Sequence, residues 1–399
     1  MTKIKVGSDF SGVGAFDQAL KRLGINYETV FACDMDKFAR QTYIHNYGEP
    51  DYYPENVYNR EIPNDSLDIY MTSPPCQAFS LAGKRLGKDD ARGILFFNSH
   101  EFIIKNKPRF FIFENVKGLL SDDGGRTFNE WIEYLGGKSV NGTGTIFPID
   151  EAAPYHIYHS VLNAKDFGIP QNRERVFIIG IRDDEDNNFD FPKKERLIKR
   201  LKDVLENEVN QKYFLSDNQI KSIVKSDFQQ EKKRIQEGDY SGTLLSRDYK
   251  SPKCVQIKSA TLRGYETATE NDSINFSVPS SETRRGRVGK GAAQTLDTAC
   301  NQGVMVGISV HPLSKKLEYN GYSNDVCPTL LATDNKAPKT WHFYDYKIRR
   351  LTPRECFRLM DFPDTFTWNV SDSQAYKQAG NSICVGVLAK IIEKLKTKP

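Results

Sequence analysis

The sequence predicts an α/β protein built on a doubly wound, mostly parallel sheet, with a smaller, irregular, β-rich domain set into it. Three observations predict this. Strand-like and helix-like segments alternate through the first half of the chain, the order that gives parallel strands joined by helical crossovers. Several strand-like runs are apolar throughout rather than alternating, as strands covered on both faces must be. Near position 187 the text turns highly charged, then rich in Ser, Thr, Gly and Asn, and it reads as helical again only from Leu351.

In chain order, Lys3 to Asp9 reads as a strand and Gly14 to Leu23 as a helix. Thr29 to Cys33 is a strand, and Asp36 to Tyr47 is helical. Leu67 to Met71, Arg109 to Phe113 and Arg175 to Ile181 are short apolar runs bounded by turn or charged residues, the mark of buried strands. Lys193 to Gln236 is charged and partly helical. Three later segments resemble one another: Thr243 to Asp248, Thr295 to Thr298 and Thr329 to Asp334. Their unequal separations exclude a solenoid and suit a recurring strand-and-loop unit in a small domain. Pro353 suits a helix start, and an apolar helix is expected from Ile383 to Leu395.

Composition narrows the class. A chain of 399 residues with 38% hydrophobic and 27% charged residues has the make-up of a globular protein with a real core. No apolar stretch reaches the roughly 18 residues of a membrane span. The start, Met1 to Val6, runs into a strand without a signal peptide's apolar region, so a cytoplasmic location is expected. Seven cysteines without a Cys-x-x-Cys pair argue against a zinc site or a disulfide framework and for a reducing compartment. Net charge is only +4. Arg284, Arg285, Arg287 and Lys290 nonetheless cluster, opposed by Glu282 alone. Such a cluster can neutralise phosphates, although charge alone favours a solvated loop.

The chemistry-bearing segments fall at strand ends. Asp9-Phe10-Ser11-Gly12-Val13-Gly14 lies between the first strand and helix, where glycines let a ligand approach the backbone. It is not the dinucleotide fingerprint, which would need glycine at Asp17. Asp34, one strand later, stands where an acid commonly holds ribose hydroxyls, or caps the next helix. Ser73-Pro74-Pro75-Cys76-Gln77-Ala78-Phe79-Ser80 follows another strand. A free cysteine is usually buried and inert, but this one has company. Glu114-Asn115-Val116 ends the next strand, and Arg173 and Arg175 open a later one. A thiol, a carboxyl and two guanidinium groups then have one sheet edge on which to converge upon a planar heterocycle.

Pro75-Cys76-Gln77, Glu114-Asn115-Val116, Gln171-x-Arg173-x-Arg175 and Gly380-Asn381-Ser382 occur in the order that marks DNA cytosine-C5 methyltransferases, the bacterial or phage restriction-modification type. The segments Leu162 to Pro170 and Arg349 to Pro363 also resemble that family. The resemblance covers residues 3 to about 183 and about 346 to the end. It implies a Rossmann-like catalytic domain binding S-adenosylmethionine over 1–188, a target-recognition domain over 189–345, and a return to the catalytic domain over 346–399.

It further implies that Cys76 adds to C6 of cytosine, that Glu114 bonds N3 and the exocyclic amine, that Arg175 reaches O2, and that Arg173 steadies the site. Phe10, Ser11, Gly12, Gly14, Asp34, Met35, Asn56, Pro75 and Asn381 would contact S-adenosylmethionine, with S-adenosylhomocysteine as product and no metal. Glu55-Asn56-Val57 departs from the family's Gly-Asp-Ile, so the acceptor for the adenine amine is Asn56, Asp65 or Asp68. The loop Ser80 to Gly93, with Lys84, Arg85, Lys88 and Arg92, resembles the family's closing loop. Gln77, Ser80, Lys84, Arg85, Arg92, Arg284, Arg285 and Arg287 would contact DNA. The expected partner is double-stranded DNA, bound by a monomer, with pairing to a restriction endonuclease as a possibility and no membrane. The alternatives are methylation of tRNA and a catalytically silent DNA-binding homologue.

Overall fold

The first strand, β1 (Ile4–Asp9), lies between two parallel neighbours, β2 (Tyr27–Cys33) and β3 (Ile69–Thr72). The computed structural model describes residues 3–74, 94–224, 255–312 and 342–395. The chain forms two compact units, Met1–Lys199 with Thr295–Ala299 and Pro353–Pro399, and Arg200–Gln294 with Cys300–Thr352. The divisions thus fall at 199 and 352 rather than at 188 and 345, and a short piece at 295–299 belongs to the first unit.

In the first unit, helices α1 (Ala15–Arg22) and α2 (Lys37–Tyr47) follow β1 and β2. Helix α3 (Ile94–Asn106) precedes β4 (Phe110–Val116), and α4 (Arg126–Leu135) follows it. The small strands β5 (Ser139–Val140) and β6 (Thr143–Gly144) come next, then β7 (Tyr155–Asn163), β8 (Gln171–Asn172) and β9 (Glu174–Arg182). Eight strands make one sheet in the order β2-β1-β3-β4-β9-β7-β5-β6. Every residue of β3 is buried, and all but the last of β4, as uninterrupted apolar runs require when both faces are covered.

The sheet is mixed, which corrects the expectation of a mostly parallel one. Strand β9 runs antiparallel to both β4 and β7. The link from β7 to β9, Ala164 to Arg173, holds only a single 3-10 turn and β8. It falls short of the dozen or more residues that a parallel crossover needs. Aromatic packing fills the α3–α4 side, with Phe96 stacked on Trp131 at 4.4 Å and Tyr70 on Phe102 at 4.2 Å. The C-terminal helices α6 (Pro353–Leu359), α7 (Asp372–Asn381) and α8 (Val385–Lys394) close the unit, α8 packing on α1.

The second unit begins with two 3-10 turns, at 201–204 and 211–213, and α5 (Asp217–Ile223). Its strands are β10 (Val255–Lys258), β11 (Tyr265–Ala268), β12 (Ser273–Asn275), β13 (Val288–Gly289), β14 (Ala293–Gln294), β15 (Gln302–Pro312) and β16 (His342–Arg350). An antiparallel sheet runs β13-β12-β15-β16, and β10 pairs with β11 as a hairpin. Ile223, Val224, Val255, Ile257, Ala268, Ile274, Met305 and Ile348 form its core. Of the three similar segments, only Thr295 to Thr298 lies within the described residues. Among the described residues no helix is long and apolar enough to cross a membrane.

Candidate active site

The carboxyl ends of β1 to β4 bring the chemistry together. After β1 the chain turns through Phe10, Gly12 and Gly14, all at positive φ (56°, 55° and 83°). Gly14 opens α1, and a Cβ there would sit 2.3 Å from the Tyr47 ring. A Cβ on Gly12 would meet nothing within 4 Å, so that side of the turn is open to a ligand. The turn is pinned from within. The Ser11 amide donates to the Cys33 carbonyl at 2.9 Å, and the Gly12 amide donates to Asp34 Oδ2 at 2.8 Å.

Asp34 also accepts the Asp36 amide at Oδ1, 2.8 Å away. Burial raises its carboxyl above the ordinary value, against the pull of those two amides. Asp36, not Asp34, caps α2, accepting from the amides of Phe38 and Ala39. Met35 is 85% exposed beside it, an apolar side chain left uncovered at the strand end. Ser11 Oγ lies 3.2 Å from the Tyr53 hydroxyl. An open glycine turn, a carboxylate and an uncovered apolar side chain fit a group that carries a nucleoside. Asn56 is exposed, and its amide oxygen accepts the Tyr58 amide at 2.9 Å. Asp65 pairs with Lys5 at 2.6 Å, and Asp68 pairs with Arg109 at 2.9 Å and the Lys5 amide at 2.7 Å. Both acids stand near the starts of β1 and β3, at the opposite edge from the glycine turn.

Glu114, near the end of β4, is buried, with Oε1 3.0 Å from Arg175 Nε. The antiparallel register sets Arg175 opposite Val116, diagonal to Glu114 on the same face. Burial raises the Glu114 carboxyl above its ordinary value, opposed by Arg175 and then Arg173. The next residue, Asn115, donates from Nδ2 to the Pro74 carbonyl at 3.1 Å. Its side chain therefore fixes the chain two residues before Cys76. Pro75, Cys76, Gln77, Ser80, Lys84, Arg85, Lys88 and Arg92 lie outside the described residues.

Arg173 is fully enclosed. Its guanidinium donates to three carbonyls: Leu296 at 3.3 Å, Gly380 at 3.0 Å and Ser382 at 2.8 Å. Burial and the neighbouring Arg175 push its pKa down to about 10. These bonds tie the residue just before β9 to Leu296 and to the segment that holds Asn381. Asn381 is exposed at the end of α7. Gly380 is there for proximity, since a Cβ would stand 2.6 Å from the Asp297 carbonyl. Gln171 is likewise structural, donating to the Leu359 carbonyl at 2.8 Å.

Among the basic residues of the second unit, Arg287 does not fit a DNA contact, which corrects that expectation. It is 1% exposed and donates to the carbonyls of Asn275, Ser277 and Val278. Lys290 is tied to Asp272 at 2.6 Å. Arg284 and Arg285 are exposed, with Arg285 Nε reaching the Ala260 carbonyl at 3.2 Å. Sequence reasoning also missed a buried group beneath the glycine turn, Asp9 with Arg60 and Tyr70. Nothing local marks Arg60, because its partner is 51 positions away.

A glycine turn and an acid at neighbouring strand ends, with a buried carboxyl–guanidinium pair two strands along, fit the class of α/β enzymes. The chain belongs to the C-5 cytosine-specific DNA methylase family, whose sequence model matches residues 4–397. It is 32% identical to the orphan methyltransferase M.SPRI of Bacillus phage SPR, across 99% of this chain and 98% of that protein. It is also 32% identical to the type II methyltransferase M.SsoII of Shigella sonnei, across 97% of this chain and 78% of that one. The fold is shared with the Schizosaccharomyces pombe Dnmt2 methyltransferase (S. pombe; TM-score 0.52, 17% identity, 98% and 97% of the two chains). It is shared too with a putative DNA modification methyltransferase of an Escherichia coli prophage (TM-score 0.54, 19% identity, 98% of each chain).

Proposed function

We propose that the protein methylates C5 of a cytosine flipped out of double-stranded DNA, within a specific sequence, using S-adenosylmethionine and the thiolate of Cys76. The observation that carries this reading is the Glu114–Arg175 pair, 3.0 Å apart at the sheet edge where Asn115 holds Pro74. Two peptide units beyond Pro74 comes the thiol. Its attack on C6 makes C5 electron-rich enough to take a methyl group, and only the thiolate attacks well.

Glu114 holds a proton more readily than a solvated carboxyl does, which suits it to share that proton with cytosine N3 as charge develops on the ring. Arg175 would turn its guanidinium to O2. Arg173 keeps the floor of the site rigid. Phe10, Ser11, Gly12, Gly14, Asp34, Met35, Asn56, Pro75 and Asn381 would hold the cofactor, which supplies an electrophilic methyl group when bound. Loss of the C5 proton and departure of Cys76 would then release 5-methylcytosine. Flipping is needed because stacking covers the ring faces, and it costs a few kcal/mol.

The second unit would read base edges. It offers a groove of about 640 Å³ lined by Lys258, Ser259, Ser280, Ser281 and Glu282, with Arg284 and Arg285 exposed nearby. Transfer of labelled methyl from S-adenosylmethionine to genomic DNA, with total tRNA as the competing acceptor, tests the reading. Label entering DNA as 5-methylcytosine is expected. Label entering tRNA alone would overturn it.

A further inference from the structure

We propose that Arg60 is a positioning residue for the cofactor, its buried pair with Asp9 locking the turn at 56–60 to the end of β1. This rests on the cofactor reading above. Arg60 Nε lies 2.8 Å from Asp9 Oδ1, and the two side chains are 2% and 0% exposed. The Tyr70 hydroxyl donates to Asp9 Oδ2 at 2.5 Å. The guanidinium carbon sits 4.5 Å from the Phe102 ring centre and 5.6 Å from that of Phe31, so aromatic rings enclose it.

Such an environment favours an apolar side chain. Burying two charges costs desolvation that a hydrophobic replacement of similar size avoids, so the pair is weak evidence for stability and better evidence for geometry. The geometry it fixes is specific. Asp9 is the last residue before the Phe10–Gly14 turn, whose Gly12 faces open space. Arg60 ends the 3-10 turn Val57–Asn59, whose first cap is Asn56. One side-chain pair thus joins the two backbone segments that flank the proposed adenosyl group. The contact onward to α3 is looser. Nη2 reaches the Asn98 carbonyl at 3.5 Å, while Nη1 and Asn98 Oδ1 are buried without partners among the described residues. The firm attachment is to Asp9, and Tyr70 orients that carboxylate.

Calorimetric titration of S-adenosylmethionine into full-length wild type, Arg60→Met, Arg60→Lys and Tyr70→Phe tests this. Arg60→Met keeps the apolar stem between the rings and removes only the pairing. Its Kd for the cofactor is expected to rise at least tenfold, with duplex affinity within twofold of wild type. At saturating cofactor its kcat should stay within threefold, while its KM for the cofactor carries the loss. Arg60→Lys should recover part of the affinity, and Tyr70→Phe should lose about threefold. A folded Arg60→Met that binds cofactor within twofold of wild type would overturn the proposal, as would equal losses of cofactor and DNA affinity. Should Arg60→Met not fold, an unchanged Kd in Tyr70→Phe overturns it. A wild-type protein that fails to bind the cofactor overturns the cofactor reading itself.

Discussion

At the scale of single residues, the proposed mechanism would divide chemistry and support between Glu114 and the two arginines beside it. Glu114 is buried, paired with Arg175, and shifted toward its protonated form by that burial. Glu114→Gln should lower turnover at least a hundredfold, since a positioned acid–base group contributes factors of that order. An unchanged rate in a single-turnover assay would show that another group stabilises the adduct. Arg173 is expected to fail differently. Replacing it by Ala strands three buried carbonyls, and urea denaturation should register a loss of about 3 kcal/mol. Arg285→Ala should instead reduce the salt slope of DNA binding by about one unit and leave stability unaltered. Arg287→Ala, with its buried guanidinium on three carbonyls, should destabilise the second unit and leave that slope unchanged.

Among the elements, the glycine turn and α1 carry opposite consequences at neighbouring positions. Gly12→Ala meets no atom but must hold a positive φ, so its cost in stability is about 1 kcal/mol, with a larger loss of cofactor affinity. Gly14→Ala adds a collision with Tyr47, and should depress the thermal midpoint much further. Inside α1, Asp17 is buried against the hydroxyls of Tyr43 and Thr29, and burial pushes its pKa from 3.8 up to about 6. The folded state therefore holds this proton more tightly than the unfolded chain. Its contribution is complete below about pH 4 and is lost as pH rises through about 6. Asp17→Asn should gain up to about 3 kcal/mol over wild type at pH 8 and almost nothing at pH 4, as paired denaturation curves would show.

Much of this level was legible beforehand. Apolar runs such as Phe110 to Phe113 announced strands covered on both faces, and Asp34 and Glu114 followed as strand-end residues. Strand β7 was not legible, because Tyr155–Asn163 mixes histidines and hydroxyls into its alternation. Without β7, the short link that turns β9 antiparallel could not be seen. The pairs Asp9–Arg60 and Arg287 with its carbonyls depend on tertiary neighbours, which no local pattern encodes.

For the whole molecule, the two units separate what is shared from what is particular. The first holds the glycine turn and Asp34, and with them Glu114, Arg173, Arg175 and Asn381, which lie in motifs that carry the family resemblance. The second holds a hydroxyl-rich groove with the exposed Arg284 and Arg285 nearby, and on the proposed reading it would carry the choice of target. Bisulfite sequencing of DNA from cells expressing the protein should return 5-methylcytosine at one recurring sequence, and scattered methylation would remove the recognition role from the second unit. The central claim is the covalent step at Cys76. Duplex DNA carrying 5-fluorocytosine at that target position, incubated with the protein and S-adenosylmethionine, tests it most directly, because fluorine at C5 blocks the final elimination. A denaturant-stable adduct formed by wild type and absent in Cys76→Ala is the result expected. Methyl transfer to ordinary DNA with no adduct on the fluorinated duplex, or an adduct that survives Cys76→Ala, would contradict it.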